Sequence, residues 1–163
     1  MGVGKTTIGK ALASCLNLHF VDSDLEIENR TGVSIMTIFD IEGDVGFRDR
    51  ETKVIAELSK RRGIVLATGG GVILRAENRR VLRNSGLVVY LHATIEMQLQ
   101  RTKNSRDRPL LTKGNRKHVI QDLMAEREPL YRQEADIVYD TDSRSPQVAA
   151  KEISREIHDK WRS

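Results

Sequence analysis

Lys5 and Thr6 stand behind two glycines in Gly2-Val3-Gly4-Lys5-Thr6-Thr7, a spacing that reads as the last part of the GxxxxGK[ST] phosphate-binding loop. In such a loop the glycines let backbone N–H groups turn toward the α- and β-phosphates. The lysine reaches the β- and γ-phosphates, and the threonine hydroxyl is a Mg²⁺ ligand. The helix that begins here adds the positive end of its dipole. These residues point to nucleotide binding, against the alternative of a chance glycine-rich turn before a helix. The first glycine of the loop and its preceding strand are missing, so Met1 is expected to be the truncated or misassigned beginning of a longer protein.

Other side chains could complete a site around that loop. Asp22 and Asp24 lie two residues apart beyond an apolar run, where both can face one cleft if they sit at a strand end. A solvated turn with a helix N-cap is the other role open to them. Arg127 continues the apolar stripe Val119, Ile120, Leu123 and Met124 at i+3 and i+4, which aims its head at the interior or a cleft, or lets it snorkel from the stripe's edge. Arg48, beside Asp49 and Arg50, reads equally well as an exposed helix charge. Gly69, Gly70 and Gly71 permit close approach of backbone to a ligand, or form an ordinary loop.

The elements that must position these residues alternate along the chain. Ile8, Ala11, Leu12, Cys15 and Leu16 fall at helical spacing and predict a helix over about 5–16, with Cys15 packed in the core. A short strand follows over 18–22, then helices over 24–30, 34–39 and about 44–61, the last with Phe47, Val54, Ile55 and Leu58 on one face. Residues 63–67 and 87–91 are continuous apolar runs, suited to strands buried on both faces of a parallel sheet. Helices near 77–84 and 95–103 flank the second run. A last strand spans 137–139, and Ser145-Pro146 opens a closing helix marked by Ala149, Ile153, Ile157 and Trp161. Right-handed β-α-β connections make this an α/β fold that binds ligands at the carboxyl ends of its strands.

Composition bounds the reading. A chain of 163 residues is one domain, here 1–163, and 39% apolar residues with 4% aromatics suit an aliphatic α/β core. The net charge of +4 fits polyanionic ligands as well as nucleic acid. The basic residues are dispersed and lack interleaved aromatics, so no nucleic-acid partner is expected. The single cysteine excludes a disulfide framework and suits a reducing compartment. No apolar run of membrane-spanning length and no signal peptide is present, and the expectation is a cytoplasmic protein. The four histidines show no metal-ligand spacing.

Taken in order, GVGKTT, VDSDLEIENRTG, EGDVGFRDRE, ATGGG, RPLL and EREPLYRQEAD resemble the shikimate kinases, in the P-loop nucleoside-monophosphate-kinase-like group, over essentially the whole chain. Gluconate kinase, the runner-up, shares the loop but is not expected to carry the whole set. The resemblance implies a three-layer P-loop kinase fold whose central strand precedes the loop, so that its absence exposes two strand edges. It also implies phosphorylation of shikimate at its 3-hydroxyl by ATP with Mg²⁺. Different expectations are a non-catalytic nucleotide-binding module and a kinase for another polyol acid such as gluconate.

The residue roles that the resemblance implies are these. Gly2, Val3, Gly4, Lys5, Thr6 and Thr7 hold the phosphates, and Thr6 with Asp22, the latter through water, serves the metal. Asp24 binds the shikimate hydroxyls and accepts the proton of the attacking one. Arg48 and Arg127 clamp the carboxylate, and Gly69, Gly70 and Gly71 approach the substrate, which falls in a subregion of about 23–53. The stretch 103–114 resembles the lid, with Arg108 catalytic over the phosphates and Arg106 as a helper. Adenine lies between Arg101, as a cation-π partner, and the turn of Arg144 and Pro146. Asp44 replaces a glutamate frequent in the family and is expected to lie outside these contacts. The chain is expected to act as a monomer on ATP and shikimate.

Overall fold

The computed structural model describes residues 2–103 and 115–162, the last as backbone alone. Residues 104–114, which include Arg106 and Arg108 and nearly all of the expected lid, lie outside the described residues. The elements run α1 (Lys5–Leu16), β1 (His19–Asp22), α2 (Ser23–Thr31), α3 (Ile35–Leu58), β2 (Ile64–Ala67), a 3-10 turn (Gly70–Leu74), α4 (Ala76–Ser85), β3 (Val89–His92), α5 (Ile95–Thr102), α6 (Arg116–Glu134), β4 (Ile137–Asp140) and α7 (Pro146–Arg162). The expected order of helix and strand is therefore present, and the fold is α/β with helices flanking a small parallel sheet.

Local chemistry sets the boundaries. Asn17 takes the left-handed conformation that ends α1, and Gly32 does the same after α2. Ser34 accepts from the Thr37 N–H to cap α3. The two helices expected over 34–39 and 44–61 form one run broken by a kink at Gly43, whose φ of 70° and ψ of −173° suit only glycine. Ser145 accepts from the Val148 N–H at 3.3 Å, so the expected serine N-cap with Pro146 at the first helical position is present.

The strands pair in parallel as two ladders. Phe20 lies opposite Val65 in β1–β2, and Tyr90 opposite Val138 in β3–β4. Among the described residues no ladder joins β2 to β3. A cavity of ≈1650 Å³ runs between their facing edges and opens onto the phosphate loop. It is lined by Val65, Leu66, Val89 and Leu91 from the strands and by Leu12 and Ile153 from the helix layer. This explains a difference from the sequence reading: β2 and β3 were expected to be buried on both faces, yet most of their residues are only half-buried, because they border that space.

Two apolar cores flank the ladders. Ile8 and Leu12 of α1 meet Ile137, Tyr139, Ala149, Ala150, Ile153 and Ile157, which clamps α7 along α1 and β4. Ile27, Ile38, Phe47, Val54 and Leu58 form the other, with Phe39 stacked on Phe47 at 4.5 Å. A fully buried Ile153 or Leu58 contributes about 1.5–3 kcal/mol relative to exposure. Cys15, expected in the core, is exposed, because α1 turns Ile8, Gly9, Leu12 and Ala13 inward and leaves position 15 off that face. Trp161 continues the α7 spacing but is 66% exposed.

Candidate active site

The phosphate loop and the carboxylates meet at the carboxyl ends of β1 and β2. Gly2 and Gly4 adopt φ of 69° and 86°, which turns the chain into α1 with Gly4 as its N-cap. The first turn of α1 holds no acidic residue, so its positive end is uncompensated by the helix itself. Thr6 and Thr7 are exposed on that turn and line the cavity with Val3. The Lys5 ammonium donates to the Thr68 carbonyl at 2.8 Å, just past β2. It lies 3.8 Å from Asp22 Oδ2 and 4.0 Å from Asp24 Oδ2.

Asp22 plays both roles weighed for it in part. Its Oδ1 caps α2, accepting from the N–H groups of Asp24 at 3.0 Å and Leu25 at 3.4 Å. Its Oδ2 faces Lys5. Thr6 and Asp22 line one cavity and supply hard oxygen atoms, the donor type that Mg²⁺ prefers, so these residues fit that ion. Asp24 is half-buried, and its Oδ1 is shielded from solvent without a hydrogen-bond partner. Burial raises its pKa above the ordinary 3.8; Lys5 works against this and Asp22 adds to it.

Arg48 is not the exposed helix charge that its neighbours allowed. It is buried at 6% exposure, and its Nη1 donates to Glu51 Oε2 at 2.6 Å. Its guanidinium also lies 5.0 Å from the centre of the Phe47 ring. Asp44, expected outside the contacts, instead places Oδ1 3.4 Å from Arg48 Nε, because both occupy one face of α3 at i,i+4. Glu51 is fully buried, and burial raises its pKa despite the opposing charge of Arg48.

Gly69, Gly70 and Gly71 are packed on charged groups. A Cβ at Gly69 would lie 2.8 Å from Asp24 Oδ1, and one at Gly71 would lie 2.3 Å from Arg48 Nη1. At Gly70 it would lie 2.9 Å from the Tyr131 hydroxyl and 3.6 Å from Arg127 Nη1. Only glycine fits without moving these groups. The ordinary loop weighed as the alternative for this segment is, from Gly70, a 3-10 turn. Arg127 is buried on α6 beside the glycines; its Nε has no hydrogen-bond partner and lies 3.7 Å from Glu126 Oε2.

Of the other residues of the nucleotide reading, Arg101 lines the cavity beside the phosphate loop. Arg101 donates to Thr141 Oγ1 at 2.9 Å, to the Thr141 carbonyl at 2.8 Å and to the Gly2 carbonyl at 3.3 Å. Its edge is thus committed to the protein while the residue stays exposed. Arg144 is exposed beside Glu152, 3.8 Å away, close before Pro146.

Comparison with known proteins decides the family. The family described as "Shikimate kinase" matches residues 1–158. The chain belongs to the shikimate kinase family. It is 54% identical over 153 residues to the shikimate kinase of Pseudomonas aeruginosa (strain LESB58), covering 94% of this chain and 89% of that protein. The shikimate kinase of Chromohalobacter salexigens is 52% identical over 155 residues, with 95% of this chain and 86% of that protein covered. Among solved structures, the shikimate kinase from Acinetobacter baumannii in complex with shikimate superposes with a TM-score of 0.96 at 47% identity, covering 98% of this chain and 89% of that one.

The contacts also bring in residues that reading the sequence missed. Glu51 sits at helical spacing between Phe47 and Val54, and a carboxylate within an apolar stripe is the signal that it has a buried partner. Tyr131 lies one turn beyond Arg127 on α6, a spacing that puts both on one face. The carbonyl of Thr68 and the hydroxyl of Thr141 carried no signal in the sequence. No helix among the described residues is long and apolar enough to cross a membrane.

Proposed function

We propose that the chain transfers the γ-phosphoryl group of ATP to the 3-hydroxyl of shikimate, giving shikimate 3-phosphate and ADP. The observation that carries this reading is the position of Lys5. Its ammonium stands within 4.0 Å of Asp24 Oδ2 while belonging to the phosphate loop, so the nucleotide half and the acid half adjoin at one side chain. That adjacency suits direct transfer between two bound partners.

Each residue then has a task. Lys5 and the N-terminal end of α1 neutralise phosphate charge. Asp24, ionised, accepts the proton of the attacking hydroxyl at its carboxylate and orients the ring. A loose transition state demands little base assistance, so orientation is the larger part. Arg48 and Arg127 hold the substrate carboxylate, for which planar guanidinium groups are suited. Gly69, Gly70 and Gly71 let the ring approach the backbone. Arg101, with Arg144 and Pro146, flanks the adenine. Thr6 and Asp22, the latter through water, would hold Mg²⁺, which when bound would offset phosphate charge. A monomeric working unit in the cytoplasm completes the reading, the single cysteine being suited to a reducing compartment.

A coupled ADP-release assay tests the reading. Shikimate-dependent ADP formation is expected, with no acceleration by gluconate. Turnover with gluconate alone, or none with either acid while ATP still binds, would sink it. Asp24→Asn should cut kcat by roughly 10²-fold or more while ATP binding stays intact.

A further inference from the structure

We propose that Tyr131 is a positioning residue for the acid site: its hydroxyl holds the peptide between Gly70 and Gly71 in the orientation that seats the substrate beside Arg48 and Arg127. The inference rests on the acid-site reading above and adds a residue to it.

The geometry is specific. Tyr131 lies four residues beyond Arg127 on α6 and donates its O–H to the Gly70 carbonyl. The peptide group is planar and trans, so fixing that carbonyl fixes the Gly71 N–H in the opposite direction. The same peptide is gripped from two sides. The Tyr131 oxygen and Arg127 Nη1 crowd the Gly70 α-carbon, at 2.9 Å and 3.6 Å from where a Cβ would stand, and the Arg48 guanidinium crowds Gly71. Rotation of this one peptide would therefore disturb the surroundings of both arginines.

Tyr131 is itself held. Its ring stacks on Tyr90 of β3, with centroids 4.8 Å apart and planes 24° from parallel. The contact ties α6 and the 3-10 turn to the second ladder. Burial pushes the Tyr131 phenol upward, against the pull of Arg127, so the hydroxyl stays protonated and remains a donor. Tyr131 thus acts through Gly70, with no proton of the reaction assigned to it.

Tyr131→Phe keeps the ring and its stacking and removes the hydroxyl, with its bond to the Gly70 carbonyl and its contact with Arg127. Calorimetric titration should show shikimate bound about tenfold more weakly, the upper scale of one lost hydrogen bond. KM for shikimate should rise in step, while kcat and KM for ATP stay within about twofold. Tyr90→Leu, which leaves the hydroxyl but removes its support, should raise KM for shikimate by about threefold. Unchanged shikimate affinity in Tyr131→Phe overturns the proposal. So does a loss confined to kcat, or one shared equally by ATP, the mark of general loosening. If the unaltered chain turns over shikimate and the variant matches it, only the role of Tyr131 falls; if the unaltered chain binds no shikimate, the acid-site reading falls with it.

Discussion

Arg48 and Glu51, three residues apart on α3, form a 2.6 Å ion pair with both side chains withdrawn from solvent. The second carboxylate oxygen of Glu51 has no hydrogen-bond partner and lies 3.2 Å from where a Cβ at Gly69 would stand. Arg48 is thus fixed by an acid that is itself incompletely satisfied, a costly arrangement unless the pair serves a ligand. Glu51→Ala should cost about 3 kcal/mol of unfolding free energy, because it strands a buried guanidinium. Urea denaturation measures it, and a cost below about 1 kcal/mol would show that Asp44 suffices as the counter-ion.

Gly71→Ala tests the close packing on Arg48 directly. The added methyl would stand 2.3 Å from Arg48 Nη1, so the guanidinium must shift. The φ of this residue is not in the left-handed region, so backbone strain is not the cause of any loss. KM for shikimate should rise at least tenfold at little change in KM for ATP, on the order of one misplaced charge-assisted hydrogen bond. Equal rises in both constants would place the defect in folding.

Asp22→Asn separates the two tasks of that side chain. Asparagine is as good an N-cap as aspartate, so the melting temperature should move by no more than about 2 °C. The charge facing Lys5 is lost, and the Mg²⁺ concentration giving half-maximal rate should increase severalfold. An unaltered Mg²⁺ requirement would reduce Asp22 to its cap.

Asp24 makes opposite demands on activity and stability as pH changes. Burial raises its pKa above 3.8, so proton acceptance and turnover should fall, on acidification, at a higher pH than an exposed aspartate would give. For stability the sign reverses. The folded chain holds this proton more tightly than the unfolded chain, so the contribution is complete below the ordinary carboxylate value and is lost as pH rises through the raised one. A pH series of urea midpoints should therefore be flatter in that window for Asp24→Asn than for the parent. An identical slope would show that Asp24 titrates normally.

The elements were legible because their signals are local. Helical spacing gave α1 and α7 to within a residue or two, and Ser145 with Pro146 marked where α7 begins. Motif order gave Lys5, Asp22 and Asp24 their common neighbourhood. What escaped the sequence depends on partners distant along the chain. Cys15 fits an apolar stripe by spacing, but which side of α1 is covered depends on α7, more than a hundred residues later. Asp44 looked unengaged because its pairing requires the α3 backbone to resume helically just after Gly43. The 3-10 turn after Gly69 and the grip of Tyr131 on Gly70 depend on α6, which no local pattern in ATGGG reveals.

The separation of the two ladders has a mechanical consequence. Asp22, Asp24 and Gly69 hang from the β1–β2 half, whereas Arg101 is tied to Thr141 at the end of the β3–β4 half. Among the described residues, α7 lying on α1 and α6 bearing on the glycine turn are contacts that run between the halves. In the reading proposed above, the span between phosphoryl donor and acceptor depends, as with the opening of a pair of calipers, on packing away from the tips. Since an error of about 1 Å there is worth roughly 10²-fold in rate, the packing of Ile153 and Ile157 of α7 on α1 bears on the transfer distance from outside the proposed contacts.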